Sequence, residues 1–78
     1  MEPFMRYKDY DVAPSAHSLP DGLYAANLII ESRVSPHGSS FTFDALDYFF
    51  DADHAIAYAS HWARLWIDLR SNQARRRN

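Results

Sequence analysis

The last third of the chain carries the feature that most limits its possible folds, an apolar stripe with the period of an α-helix. Between residues 52 and 70, small and aromatic residues recur every three or four positions. The stripe consists of Ala55, Ala59, Trp62, Ala63 and Trp66. Small residues allow a helix to approach a sheet closely, and a tryptophan buries on the order of 200 Å². We therefore expect one helix over 52–70, with both tryptophans in the core.

Charged residues mark the start and the solvent side of this helix. Asp51 is placed to cap its N-terminus, and Asp53 lies in the first turn, where the helix dipole favours a negative charge. Arg64 and Asp68 are four residues apart on the polar side, a spacing that allows a weak ion pair. The segment 71–78 has little to bury, so we expect it to form a flexible basic tail.

The residues before the helix alternate between apolar and polar, which indicates strands. A turn is predicted at 20–22, Pro-Asp-Gly, because proline presets φ, aspartate caps its own backbone and glycine accepts a positive φ. The flanking segments 10–19 and 23–33 therefore predict a β-hairpin, and 41–46 alternates as a third strand. Pro14 has no backbone N–H to donate, so we expect the first strand to be an edge strand or bulged there.

Together these patterns predict a single α+β domain over residues 1–70, with a three-stranded antiparallel sheet (β-β-β) and one C-terminal helix packed on one face. The chain has 78 residues and no cysteine. That length leaves no room for a second core, and a chain of this size buries only about 60% of its unfolded surface. Disulfides and thiolate metal ligands are excluded, so the fold must depend on packing or on self-association.

The sequence favours a soluble, cytoplasmic bacterial protein. Its first residues alternate charges with aromatics and contain no apolar run of the kind found in a signal peptide. The longest apolar stretch, 23–30, is interrupted by Asn27 and is far shorter than the roughly 20 residues that a membrane span needs.

The uneven distribution of charge bears on nucleic-acid binding. Residues 1–69 contain four basic and ten acidic side chains, a formal charge of −6. Asp51 and Asp53 stand at the helix start, where binders of double-stranded RNA need cations aimed at phosphates. We therefore expect no nucleic-acid binding by the body of the protein. A weak contact at most is expected through the tail residues Arg75, Arg76 and Arg77.

Candidate groups for catalysis or metal binding do not form a recognisable pattern. His54 and His61 are seven residues apart, not at the i,i+4 spacing that places two imidazoles on one ion. No nucleophile-elbow glycines surround Ser39 or Ser40, and the chain's two glycines do not form a phosphate-binding loop. We therefore expect no enzymatic activity, no cofactor and no metal site.

The predicted sheet has a second face that one helix cannot cover. On the strand after the turn, Tyr24, Leu28 and Ile30 share the core face, and the outward positions are also largely apolar. The candidate partner surface consists of Leu23, Ala25, Ile29 and Leu46. Uncovered apolar surface on a small domain marks an interaction site, and edge strands are available for pairing. We expect a self-associating interaction module, most simply a homodimer, or else a module for an unidentified protein partner. Alternatively, residues 1–7 of the same chain cover this face of the sheet.

Three pieces of the chain resemble a group of short bacterial proteins without an established activity. These pieces are YKDYDV, LPDGLYAANL and FDADHAIAYASHWARLWID. Members of the group share a Tyr-x-Gly/Asp-Tyr opening, a Leu-Pro-Asp-Gly hairpin and a final helix ending in Trp-Ala-Arg-x-Trp-Ile-Asp. The resemblance implies a β-β-β-α domain. Its element order is also similar to part of the double-stranded-RNA-binding fold and to HicB-type antitoxin domains. An antitoxin or regulatory accessory domain that binds a protein or nucleic acid is therefore the second hypothesis, although fold alone does not give function.

Overall fold

The described residues form an antiparallel sheet that is covered on one face by one long helix. The computed structural model describes residues 4–33 and 39–76, with side chains described as far as Ser71. The described elements are β1 (Met5–Tyr7), β2 (Tyr10–Ser18), β3 (Tyr24–Ser32), β4 (Ser39–Phe43), β5 (Tyr48–Phe49) and α1 (Ala52–Arg76). The strand order is β1-β2-β3-β4, and β5 also pairs with β3. The predicted α+β class is confirmed, but the sheet has four or five strands, not three.

Two of the described strands, β1 and β5, are absent from the prediction, and β1 is the one that forms an edge hairpin. It pairs antiparallel with β2, with Tyr7 opposite Tyr10 across a two-residue turn in which Lys8 has a φ of 57°. Turns of this kind normally use Asn or Gly, because other residues pay a steric cost at positive φ. The sequence therefore lacked the usual hairpin signal. The turn is fastened through the Lys8 ammonium, which donates to Asp68 Oδ1 at 2.7 Å.

Pro14 lies where β2 has a neighbour on one side only among the described residues. β1 pairs with residues 10–12, whereas β3 runs along the whole of β2 and places Leu28 opposite Pro14. Since β1 does not extend as far as Pro14, the N–H that Pro14 lacks leaves no hydrogen bond to β1 unmade. The prediction of an edge strand is right for this half of β2 and wrong for residues 10–12.

A bulged segment separates β4 from β5, which lie along the same side of β3. Ala45 has a φ of 53°, and its N–H donates to Asn27 Oδ1 at 2.8 Å. The N–H of Leu46 then donates to the Ala26 carbonyl at 2.8 Å. These bonds stabilise a bulge that interrupts the strand and that simple alternation does not indicate. The predicted third strand over 41–46 is therefore shorter than expected.

The core lies between the helix and the helix-facing side of β2 and β3. Its buried members are Val12, Ala26, Leu28, Ile30, Ala55, Ala59, Ala63 and Ile67. The predicted helix-facing positions of β3, Leu28 and Ile30, are fully buried, and so are Ala55, Ala59 and Ala63 of the helix. Small side chains at the closest approach allow the helix backbone to lie near the sheet.

Both tryptophans pack against this core from one side of the helix, as predicted, but they remain partly exposed. The Trp62 ring lies 4.8 Å from the Phe43 ring, and the Trp66 ring lies 5.0 Å from the Phe41 ring, centroid to centroid. Trp66 also meets Tyr10 edge-on at 6.1 Å. The tryptophans therefore join β4 to the helix, while their outer parts stay at the surface.

The helix is longer than predicted and forms a different ion pair. It continues to Arg76, beyond the expected end near residue 70, because no proline or glycine interrupts the sequence there. Asp68 does not pair with Arg64 in the described structure. Its carboxylate instead accepts hydrogen bonds from Lys8 and from the Tyr7 hydroxyl, the latter at 2.9 Å.

Candidate interaction surface

The predicted partner surface is divided between the two faces of the sheet. Ala25 and Ile29 alternate with the buried residues of β3 and so lie on the open face, away from the helix. Leu46, in contrast, packs against the buried cluster. Between the Leu28–Phe43 and Ala25–Tyr48 pairs, the segment with Leu46 contains four residues and β3 only two, so the alternation is interrupted and Leu46 lies on the side opposite to the expected one. Leu23 is half-buried at the end of the turn.

The open face is more polar and better covered than expected. Ala25 is only 4% exposed, and Ile29 is half-buried between Ala13 and Thr42 of the neighbouring strands. Neither Leu23 nor Ile29 is among the exposed large apolar side chains, although Tyr48, opposite Ala25 on this face, is 52% exposed. The open face is therefore a weaker interaction surface than the sequence indicated.

One end of the open face is a charged cluster around Asp11. Its carboxylate meets Arg33 Nη1 at 2.9 Å and Arg6 Nε at 3.4 Å. The hydrogen bond from Arg33, aided by the positive charge of Arg6, holds the pKa of Asp11 below its ordinary value. Such a solvated charge cluster opposes burial under a partner, because its members would lose their hydration.

A more apolar surface lies on the outer flank of the helix. Trp62, Leu65, Trp66 and Leu69 line a shallow groove of about 260 Å³, which we call the aromatic groove. Leu65 is 51% exposed and Leu69 is 62% exposed. Exposed leucines beside half-buried tryptophans form the kind of contiguous apolar patch that marks a binding site.

The edge of β4 adjoins this groove, because Phe41 and Phe43 contact the two tryptophans. β4 pairs with β3 on one side, and none of the described residues pairs with it on the other. Its sequence, Ser-Ser-Phe-Thr-Phe, contains no charge and no proline, the residues that usually protect an exposed edge. We call this edge and the aromatic groove together the β4 surface.

The opposite side of the helix meets the N-terminal hairpin. A cleft of about 150 Å³ lies there between β1 and the helix, lined by Met5, Arg6, Tyr7, Val12, Ser60 and Arg64. Beside it, hydrogen bonds from Lys8 and Tyr7 hold the pKa of Asp68 below its ordinary value, and the same carboxylate raises the pKa of Tyr7. These bonds fasten the hairpin to the helix.

A second apolar stripe in the helix sequence could have identified the aromatic groove. Trp62, Leu65, Trp66 and Leu69 follow the i, i+3, i+4, i+7 pattern by themselves. The helical periodicity assigned the tryptophans to the alanine stripe, with which this second stripe overlaps. The pattern therefore contained two adjacent stripes, one facing the sheet and one facing outward.

The structure describes no site for the remaining predicted residues, the arginines of the tail. The backbone of Arg75 and Arg76 belongs to the helix, but their side chains and the whole of Arg77 lie outside the described residues. Within the part of the chain that the structure describes, no three His, Asp or Glu side chains form a group suited to a metal ion. Within the same ranges, no helix combines the length and the apolar character that crossing a membrane requires.

Comparisons with known proteins identify no relative. No protein-family model matches the chain, and no significant match is found among curated proteins or solved structures. The resemblances drawn from the sequence motifs therefore stay predictions, and the functional argument depends on the geometry of the described surfaces.

Proposed function

We propose that this protein is a small interaction module that self-associates, and that it does so through the β4 surface. The observation that carries the proposal is the continuity of an unprotected strand edge with an exposed apolar groove. A strand edge supplies backbone hydrogen bonds for a partner strand, and a groove supplies side-chain contacts beside it. The β1 edge also adjoins a cleft, but that edge is only three residues long and carries Arg6.

The energetics of the aromatic groove support this choice. Complete burial of a leucine side chain contributes roughly 1.5–3 kcal/mol, so Leu65 and Leu69, both more than half exposed, can each still supply about half of that. In a symmetric dimer the same residues contribute twice. A stable interface buries about 800 Å² on each partner, which requires the strand edge as well as the groove.

The open face is the less suitable contact. On this face Ala25 is buried, Ile29 is half-buried and Tyr48 is exposed. At one end, Asp11 forms a solvated charge cluster with Arg6 and Arg33. Covering these groups would remove water from charges that are satisfied in the free protein. Self-association through the open face, the first expectation from the sequence, therefore gives way to the β4 surface.

The oligomeric state of the full chain tests the proposal. Light scattering at about 100 µM, well above a micromolar Kd, should show a dimer, and Leu65→Glu should convert it to a folded monomer. Ile56→Glu is the matched control, because Ile56 is also an exposed helix residue, at 39%, but lies outside the groove. A monomeric wild type, or a Leu65→Glu protein that is still dimeric, would overturn the proposal.

A further inference from the structure

The helix runs along β4 in the opposite direction, which gives the aromatic groove two distinguishable ends. Trp62 contacts Phe43 at the end of β4, and Trp66, one turn later in the helix, contacts Phe41 in its middle. Arg70 follows after one more turn and so lies toward the first residues of β4, with its guanidinium carbon 5.4 Å from the Phe41 ring centroid. The groove is therefore apolar along the two tryptophans and ends at a cation.

The Arg70 side chain is held at this end of the groove without a charged partner. Its guanidinium carbon also lies 4.7 Å from the Trp66 ring centroid, so two aromatic rings hold the planar group by cation–π contacts. Arg70 is exposed, and none of the ion pairs formed within residues 4–33 and 39–71 includes it. A guanidinium can donate two parallel N–H bonds to one carboxylate, so this end of the groove suits an acidic group.

A second copy of β4 does not bring an acidic group to Arg70. The two phenylalanines of β4 are opposite buried residues of β3 and therefore lie on the helix side of the sheet, as Arg70 does. Asp44 follows the last residue of β4 and, by strand alternation, lies with Thr42 on the open face. The β4 surface thus has a recognition group that self-association leaves unused.

We propose, on the basis of the β4 surface assigned above, that this surface also binds an extended acidic segment of a different protein. The segment adds to β4 as an antiparallel strand, places alternate apolar side chains in the aromatic groove and pairs an Asp or Glu side chain with Arg70. Its pattern along the chain is apolar-x-apolar-x-acidic, where x faces away from the helix. The second copy and this segment use the same strand edge, so each excludes the other.

The spacing of the groove matches such a strand. Side chains on one face of a strand recur at about 6.8 Å, since each residue adds about 3.4 Å. Residues four apart in a helix recur at about 6 Å along its axis. Two successive apolar side chains of the segment therefore lie beside Trp62 and Trp66, and the next side chain on the same face lies beside Arg70.

The direction of the added strand sets the order of the pattern. In antiparallel addition the last residues of the segment lie beside the first residues of β4, which is the end where Arg70 lies. The opposite order would place the acidic residue beside Trp62 and Phe43, and none of the described cation–π contacts involves either ring. Residues 1–69 are acidic overall, so an acidic side chain is favoured only within reach of Arg70.

Binding of synthetic peptides to the full chain tests this inference. The probe is acetyl-Thr-Ile-Thr-Ile-Thr-Glu-Thr-amide, in which the Glu side chain is the one charge. The chain's two tryptophans both line the groove, so their fluorescence reports binding at this site. At about 1 µM protein and low salt, the probe should bind about five- to tenfold more tightly than the same peptide with Gln in place of Glu. Sedimentation of the dimer should show that the probe converts it to a monomer.

Variants of the chain assign the preference to Arg70. Arg70→Gln should reduce the preference for the Glu peptide to less than about twofold, and Arg70→Lys, which keeps the charge, should retain part of it. Arg64→Gln removes the same charge from an exposed helix residue beside the N-terminal hairpin and should leave the preference unchanged. Because the preference compares two peptides on one protein, a general loss of stability does not imitate this effect.

A peptide of reversed order completes the test. Acetyl-Thr-Glu-Thr-Ile-Thr-Ile-Thr-amide has the composition of the probe and should bind no better than the Gln peptide. No binding of the probe, equal binding of the Glu and Gln peptides, a preference that survives Arg70→Gln, or a reversed peptide as good as the probe overturns this inference and leaves self-association standing. A monomeric wild type that still prefers the Glu peptide overturns self-association and leaves this inference standing.

Discussion

The two edges of the sheet are protected very differently. β1 is three residues long, carries Arg6 and is followed by Lys8, whose ammonium is tied to the helix through Asp68. β4 is five residues long, has no charge and borders the aromatic groove. Short, charged edges resist pairing with other chains, and long, uncharged ones favour it. The charges on and beside β1 therefore protect that edge, which we call the closed edge, whereas the β4 edge is left open to pairing. This difference is why we assign the interaction surface to β4.

The hairpin at the closed edge contributes stability that depends on pH. Asp68 and Asp11 have lowered pKa values in the folded protein because of hydrogen bonds from Lys8 and Arg33, respectively. A carboxyl group of this kind stabilises the fold above its unfolded pKa, and the contribution is lost as the pH falls through the folded value. The β4 edge has no such group among its strand residues, so only the closed edge should respond to acid.

The largest predicted effect comes from removing the link between β4 and the helix. Trp66 packs against Phe41, Phe43 and Tyr10, so Trp66→Ala should lower the free energy of unfolding by roughly 3–5 kcal/mol, close to the whole stability of so small a domain. Leu69→Ala, at a largely exposed position of the same groove, should cost less than about 1 kcal/mol. Thermal melts measure both, and a Trp66→Ala melting temperature within about a degree of wild type would contradict the packing described above.

A charge placed on β4 should make the two edges alike. Thr42 is an exposed residue of the uncharged strand, and Thr42→Lys introduces the kind of side chain that protects strand edges. We expect the dimer to weaken at least about tenfold, which corresponds to about 1.4 kcal/mol, while circular dichroism stays that of the folded protein. Sedimentation over a dilution series measures the change. A Kd equal to that of wild type would show that the β4 edge is not in the contact.

A charge placed on the open face should have less effect on assembly. Ile29→Lys lies on the side of β3 away from the helix, and its long side chain can extend to water past Ala13 and Thr42. We expect the variant to stay dimeric and to lose about 1 kcal/mol of stability or less. Light scattering at the concentration used for wild type provides the comparison. Conversion to a folded monomer would assign the interface to the open face instead.

The smallest predicted effect concerns acid and the closed edge. Wild-type stability should fall as the pH drops below about 4, because Asp68 and Asp11 must take up protons that they bind more weakly in the folded state. Asp68→Asn should remove part of this dependence and speed hydrogen exchange in β1, since the charge that holds Lys8 is lost. Thermal melts between about pH 3 and pH 7, a range that spans this transition, measure the pH dependence of stability. An unchanged pH profile would show that Asp68 does not fasten the hairpin.

Local periodicity predicted much of this fold. The Pro-Asp-Gly turn and the alternation around it predicted β2 and β3, and the alanine stripe predicted the helix and its buried face. Both signals depend only on neighbouring residues, because side chains alternate along a strand and recur every three or four positions along a helix. Where that local rule was broken, at the positive φ of Lys8 and of Ala45, the prediction missed β1 and misplaced Leu46.

The sequence by itself determined the α+β class, the core face of β3 and the packing of both tryptophans, since these follow from apolar residues that recur with the right period. Only the tertiary structure decided which surface is left for a partner. That depends on the order of the strands, which leaves β4 without a neighbour among the described residues, and on the position of the helix over β2 and β3, which leaves Leu65 and Leu69 exposed. Both are relations between segments far apart in the chain, and no local pattern contains them.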